Sequence, residues 1–255
     1  MLRLWPESIH AGLFGGQCWL QRRGAPRSAA QALGGSGTPA ELLSALSSLL
    51  DEHGATLRRG TRINILVSDG IGSVITLPWQ DALRSKDELS AYAHACFAQA
   101  GETMDEAWVM RTEFRQYRKT GIAYALPRVW MLQLLELLAS LGLRLGSVMP
   151  VSAQAYCCHK VVATDMPALL LLREPTRTSA LYFGKEGLIG IDVEPHASPR
   201  AGERLMRRQN AQRQGIGQAC YWAPATQEDE AIAALFKLYW PDVTVTRIDS
   251  HAWSA

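Results

Sequence analysis

Ala125-Leu-Pro-Arg-Val-Trp-Met-Leu-Gln-Leu-Leu-Glu-Leu-Leu-Ala-Ser-Leu-Gly-Leu-Arg-Leu-Gly-Ser-Val-Met-Pro150-Val-Ser-Ala-Gln-Ala-Tyr156 is the stretch on which the fold turns. Pro127 suits a first helical position, because its ring presets φ and its missing N–H is one that a first turn leaves unpaired. From Arg128 to Leu141 only Gln133, Glu136 and Ser140 interrupt the apolar run. Such a helix, apolar almost all round, is expected to be buried. Gly142 suits the left-handed residue that ends it. Leu143 to Met149 then alternates like a strand that Pro150 closes. Gly121 to Leu126 reads as a strand upstream. Strand, helix, glycine turn, strand is a crossover unit, and it predicts two parallel strands with the helix packed across them.

Composition bounds what surrounds this unit. A chain of 255 residues can bury a sizeable core, as one large domain or two smaller ones. A net charge of +2 calls for no nucleic acid and no anionic membrane. The five cysteines have neither disulfide-framework nor zinc-site spacing, which points to a reducing compartment. No basic region followed by an apolar run opens the chain, and no stretch reaches the ~18 apolar residues of a spanning helix. The expectation is a soluble, cytoplasmic chain.

Upstream, Leu2 to Phe14 and Gln17 to Gln21 read as a hairpin around Gly15-Gly16. Gly24 to Ala32 reads as a loop. Gly34-Gly-Ser-Gly37 leads into Thr38-Pro-Ala-Glu41, a capping box and not a P-loop ending. The helix beyond it buries Leu42, Leu43, Leu46, Leu49 and Leu50. Thr61 to Ser68 and Ser73 to Leu77 read as strands joined by an Asp69-Gly70 hairpin turn. Ser85-Lys-Asp-Glu88 is a second capping box; its helix buries Leu89, Tyr92, Cys96, Phe97 and Ala100, with His94 left to solvent. Glu106 to Phe114 and Thr120 to Leu126 are strands. Past Pro150, Val151 to Tyr156 reads as a short helix or turn. Ala168 to Leu172, Thr178 to Phe183 and Gly187 to Val193 read as three strands. Ser198-Pro199 and Thr226-Gln-Glu-Asp229 open two further helices, the second burying Ile232, Leu235, Phe236 and Tyr239. Val243 to Ile248 is a last strand, followed by a loose tail.

Four clusters carry chemical interest. Asp69-Gly70-Ile71-Gly72-Ser73 could cradle a phosphate, but a plain turn is the simpler reading. Cys157-Cys158-His159 cannot converge on one metal, since adjacent side chains diverge on helix and strand alike. Asp192, Glu194 and His196 alternate, so an extended chain points them one way; a metal site and an acidic edge are both open there. Arg204, Arg207 and Arg208 share one helical face. That face is expected to be exposed and, if used, to meet an acidic partner.

Three stretches together resemble a known family. They are Leu4-Trp-Pro-Glu-Ser-Ile-His-Ala11, then Asn64-Ile-Leu-Val-Ser-Asp69 to Ile75-Thr-Leu-Pro78 with a helix near Asp87-Glu-Leu89, then Leu135 to Leu143 with Pro150-Val-Ser-Ala153. The pattern resembles the actin-like domain of PilM and of the cytoplasmic region of GspL, from type IV pilus and type II secretion assemblies. The resemblance implies an α/β, actin-like (ribonuclease H-like) fold of mixed sheets flanked by helices, in two related lobes. The lobes would span 1–160, with an inserted hairpin–helix subdomain over about 61–126, and 161–255. It implies a non-enzymatic cytoplasmic scaffold that binds a membrane-protein tail or an assembly ATPase and sits at the inner membrane through that partner. Actin-type ATPases place an acidic residue and glycines between the first two strands of each half. This chain has no Asp-Gly pair in its opening strand and no glycine in Arg173-Glu-Pro-Thr-Arg-Thr178. Neither catalytic residue, cofactor nor metal is therefore expected. The alternative is an actin-like ATPase or kinase that holds nucleotide with Asp69, Gly70, Gly72 and Ser73.

Overall fold

The computed structural model describes residues 8–22, 29–32, 37–53, 57–159, 167–185, 187–196, 200–212, 215–223 and 229–248. In chain order they form β1 (Ser8–Phe14), β2 (Gln17–Arg22), β3 (Ala29–Ala32), α1 (Pro39–His53), β4 (Arg62–Val67), β5 (Ser73–Leu77) and α2 (Lys86–Gln99). Next come β6 (Trp108–Glu113), β7 (Gly121–Pro127), α3 (Arg128–Ser140), β8 (Arg144–Pro150) and α4 (Val151–Cys158). The remainder is β9 (Ala168–Arg173), β10 (Arg177–Gly184), β11 (Gly187–Pro195), α5 (Ala201–Gln212), β12 (Gln218–Trp222), α6 (Asp229–Tyr239) and β13 (Val245–Arg247).

Two five-stranded sheets repeat one plan. The first runs β3-β2-β1-β4-β8 and the second β11-β10-β9-β12-β13. In each, an antiparallel three-strand meander is extended by two parallel strands beside its first member. Parallel neighbours need a crossover, and α1 and α3 supply these in the first sheet, α5 and α6 in the second. Between β4 and α3 the first half is interrupted by a three-stranded sheet, β5-β7-β6, with α2 packed on it. Apolar residues from both five-stranded sheets and the inserted strand β7 meet in one core, including Phe14, Tyr124, Val151, Leu170 and Trp222. The Phe14 and Trp222 rings lie 5.3 Å apart.

Local rules hold well. Both capping boxes form: the Thr38 N–H donates to Glu41 Oε2 at 2.8 Å and the Glu41 N–H to Thr38 Oγ1 at 3.4 Å, and Ser85 and Glu88 exchange the same pair of bonds. Gly142 takes φ 68° after α3. The Gly15–Gly16 hairpin, the short helix α4 and the β9–β10–β11 meander stand as read. His94 is exposed on α2.

Non-local pairings depart from expectation. Ala29–Ala32, read as loop, pairs with β2 as strand β3. β4 and β5 do not form a hairpin: β4 lies between β1 and β8, while β5 pairs with β7 in the other sheet. Nor do β7 and β8 lie side by side, because the crossover partner of β8 is β4. The inserted sheet thus begins after Asp69, and β4 stays with the first sheet. α3 is one-sided, with Trp130, Leu134 and Leu138 buried but Val129 and Leu132 65% and 53% exposed. An apolar sequence tells how much a helix could bury; the number of layers around it decides how much it does. The start of the first strand, Gly34 to Ser36, the openings of the last two helices, Arg213 and the tail lie outside the described residues.

Candidate functional site

The site is centred on Asp69, at the end of β4. Its carboxylate is buried and fully engaged by its own chain. The Ser152 N–H donates to Oδ1 at 3.0 Å, the Ser152 hydroxyl to Oδ2 at 2.5 Å and the Ser179 hydroxyl to Oδ2 at 2.8 Å. Ser152 is the second residue of α4, whose start carries no side-chain cap. Asp69 fills that role from a distance, where unpaired N–H groups and the helix dipole favour an anion.

The main chain around Asp69 is equally occupied. The Asp69 N–H donates to Glu174 Oε1 at 3.2 Å, and Arg177 Nη1 donates to the Asp69 carbonyl at 3.2 Å. The Gly70 N–H donates to the Ser68 hydroxyl at 3.0 Å. Gly72 serves a close approach of strands: a Cβ there would stand 2.2 Å from the Ala125 carbonyl oxygen. Ser73 opens β5 opposite Ala125. The residues that the phosphate-cradle reading brought together thus sit at one corner, each with a task within the fold.

The electrostatics follow from burial. Desolvation pushes the Asp69 carboxyl up, against the opposing pull of the Ser152 and Ser179 hydrogen bonds and of Arg177. Glu174 is pushed up to about 8, first by burial and then by the Asp69 charge beside it. Among the described residues, Glu174 Oε2 and Arg177 Nε are buried without a hydrogen-bond partner. Two carboxyls sharing a dry site disfavour double ionisation, so the corner holds a proton near neutrality.

The opening turns of the two meanders also meet. A Cβ at Gly16 would lie 3.5 Å from the Pro175 ring. Gly15-Gly16 and Glu174-Pro175-Thr176 are the equivalent turns of the two halves. They touch each other through Gly16 and Pro175.

The other candidates resolve differently. Asp192 and Glu194 face α5, as the alternation implies, and meet arginines there in place of a metal. Arg208 donates from Nε and Nη2 to the two Asp192 oxygens, both at 3.1 Å, and from Nη1 to Glu194; Arg204 Nη2 lies 2.6 Å from Glu194. Gln209 adds a bond to Asp192 at 2.8 Å. Of the basic trio, Arg204 and Arg207 are exposed and Arg208 is partly buried, and Arg204 and Arg208 pair with the carboxylates of β11. His196 bonds to Thr178 Oγ1 at 2.7 Å and to the Pro175 carbonyl at 3.0 Å. Among the described residues no group of three His, Cys, Asp or Glu side chains converges as a metal site. Cys157 and Cys158 are unbridged thiols, the first half-buried and the second exposed; desolvation raises both, Cys157 to about 12.

Sequence reasoning missed Ser152, Ser179 and Glu174 as the partners of Asp69. The signal was faint: a helix opening Pro150-Val-Ser152 without a cap, and Glu174 in the turn that follows the apolar run Ala168 to Leu172.

No protein-family profile and no curated protein matches the sequence. Solved structures do match. A Bacteroides thetaiotaomicron protein of unknown function with an actin-like ATPase fold superposes with a TM-score of 0.64 at 11% identity, over 95% of this chain and 91% of that one. A chain of the PilM–PilN type IV pilus biogenesis complex gives 0.66 at 12% identity, over 97% and 89%. The cytoplasmic domain of EpsL, an inner-membrane component of the type II secretion system of Vibrio cholerae, gives 0.52 at 11% identity, over 87% and 84%. No described helix is long and apolar enough to cross a membrane. The repeated sheet plan and these likenesses agree: the chain has an actin-like fold, similar to PilM and to the cytoplasmic domain of EpsL.

Proposed function

We propose that this protein is a non-enzymatic scaffold of an inner-membrane pilus or secretion assembly, binding the cytoplasmic tail of a membrane component or an assembly ATPase. In this reading its two lobes, about 1–160 and 161–255, act as one rigid platform in the cytoplasm, held at the membrane through the partner. The observation that carries it is the engagement of Asp69. An actin-like ATPase needs a carboxylate to hold Mg²⁺ or its water, and N–H groups free to meet phosphate. Here the Asp69 oxygens accept three bonds from Ser152 and Ser179, and its N–H is given to Glu174. The same features that would open a cleft hold the two halves together.

Fold likeness alone is a weak warrant for function, so the test is biochemical. Affinity purification of the full chain from its own host should bring down a membrane-assembly component or its ATPase. Recovery of neither counts against the scaffold. Under the rival reading, Asp69, Gly70, Gly72 and Ser73 would bind nucleotide after Asp69 left Ser152 and Ser179. Calorimetry with ATP and Mg²⁺ separates the two: the scaffold reading expects no binding tighter than about millimolar, the scale of a few weak contacts. Micromolar affinity abolished by Asp69→Ala would establish the rival. Arg204, Arg207 and Arg208 remain the α5 side chains proposed to meet an acidic partner, Arg204 and Arg208 while also paired with β11.

A further inference from the structure

We propose that Arg58, Arg59, Arg62 and Arg144 form a docking surface for an acidic segment of a protein partner. This deepens the scaffold reading by giving the partner's chemistry, and rests on it for the partner's being a protein. All four side chains are exposed, and none forms an ion pair or side-chain hydrogen bond among the described residues. The contrast with α5 is direct, since Arg204 and Arg208 are answered there by Asp192 and Glu194.

The backbone holds the four together. The Thr61 N–H donates to the Arg58 carbonyl at 3.0 Å, the Gly60 N–H to the Gly142 carbonyl at 2.8 Å, and the Arg144 N–H to the Thr61 carbonyl at 3.0 Å. Arg62 and Arg144 are register partners on adjacent parallel strands, roughly 4.8 Å apart. The Arg59 stem lies against Gly142, where a Cβ would be 3.3 Å from its Cγ. Like charges facing each other across strands cost stability. Two local tasks could retain a cation here: balancing the α3 C-terminus and blunting the open edge of β8. One arginine satisfies each, so four exceed both tasks together.

Their placement selects the partner. Arg62 alternates with the buried Ile63, so it projects from the sheet face opposite α1 and α3. Beside it runs a polar row across three strands: Asn64 Nδ2 donates to Ser8 Oγ, and Ser147 Oγ donates to Asn64 Oδ1, both at 3.0 Å. The exposed apolar residues Val129 and Leu132 stand on α3, on the other face. A flat bilayer cannot meet both faces at once. Four arginines on a chain of net charge +2 are also fewer than the extended basic stripe of a nucleic-acid binder. A short run of carboxylates fits, because each guanidinium can grip one through two parallel hydrogen bonds.

The test titrates the full chain against a fluorescent peptide of ten glutamates and follows anisotropy. Binding at 50 mM salt should weaken about tenfold at 300 mM, since exposed charges are screened. Arg62→Gln with Arg144→Gln should weaken it about tenfold. Arg84→Gln with Lys86→Gln, which removes the same charge from the α2 end, should change it less than about twofold. If the strand variant fails to fold by circular dichroism, Arg58→Gln with Arg59→Gln, in the preceding turn, takes its place with the same expectation. Absence of peptide binding, or equal weakening by both variant pairs, overturns the proposal. So does tighter binding to phosphatidylglycerol vesicles or duplex DNA that the arginine variant abolishes. Because purified protein and a synthetic peptide are used, failure here is distinguishable from failure to capture an assembly partner.

Discussion

Ser179, on the second strand of the second sheet, donates a hydrogen bond of 2.8 Å to Asp69, at the end of the fourth strand of the first. The two residues are 110 positions apart, and both are buried. Through this bond, the Asp69 N–H to Glu174 and Arg177 to the Asp69 carbonyl, the two halves of an actin-like fold share a polar contact beside an apolar core, while Ser152 holds the same carboxylate from within the first half. A buried hydrogen bond to a charged group is worth more than a neutral one and costs most when half of it is removed.

Asp69→Ala therefore tests the lock by leaving two hydroxyls and one N–H buried without their acceptor. We expect a loss of about 3 kcal/mol in urea unfolding, the range for breaking a buried charged network. Ser179→Ala, which leaves the Ser152 bonds in place, should cost less, about 1 kcal/mol. A loss under about 1 kcal/mol for Asp69→Ala would mean that Asp69 does not join the halves.

Glu174 gives the fold a pH dependence. Its folded pKa of about 8 stands above the ordinary carboxyl value, so the folded state holds a proton that the unfolded state releases. The contribution is fully present below about pH 4.3 and is lost as pH rises through about 8. Thermal melts should show Tm falling by at least about 3 °C between pH 6 and pH 9, since ~1 kcal/mol shifts Tm by a few degrees at this size. Glu174→Gln, which mimics the protonated form, should flatten the profile. A variant whose pH dependence matches the wild type would refute this.

The two glycines next to Asp69 should behave unequally. A Cβ at Gly72 meets the Ala125 carbonyl oxygen at 2.2 Å, backbone that cannot yield without disturbing the β5–β7 pair. Gly72→Ala should cost about 1–3 kcal/mol. At Gly70 the nearest atoms are the Ser68 hydroxyl at 3.1 Å and Arg177 Nη2 at 3.2 Å, both side-chain ends that can shift. Gly70→Ala should stay within about 1 kcal/mol. Equal, small losses at both positions would favour glycines kept for a ligand over glycines kept for packing.

On α5, Arg208 is the residue to remove. It grips both Asp192 oxygens and one of Glu194. Because its side chain is 38% exposed, solvent screening reduces what the pairs are worth. Arg208→Ala should cost about 1 kcal/mol, and Arg207→Ala should be neutral within about 0.5 kcal/mol in chemical denaturation. Equal effects would restore the picture of one common solvated face.

What the sequence determined by itself was local. Thr38–Glu41 and Ser85–Glu88 specify their helix starts, Gly142 ends a helix, and Gly15-Gly16 and the meander turns specify hairpins. Each signal acts within about four residues, where backbone geometry and one side-chain bond decide the outcome. The resemblance carried by Asn64–Pro78 and Leu135–Ala153 extended these signals to an actin-like fold. Tertiary structure alone decided the rest. An Asp-Gly that signals a hairpin sent its two strands into different sheets, because β4 buries more apolar surface between β1 and β8 than a two-stranded ribbon could. Leu132, as apolar as Leu134, ended exposed because only one layer covers α3. Arg204 and Arg208, read as a solvated face, found Glu194 and Asp192 on a strand that no helical spacing could reveal. Asp69 became a buried anchor because Ser152 and Ser179, 83 and 110 residues away, arrived at its oxygens. Charge pairing and burial depend on distance in space, which a one-dimensional pattern encodes only for near neighbours.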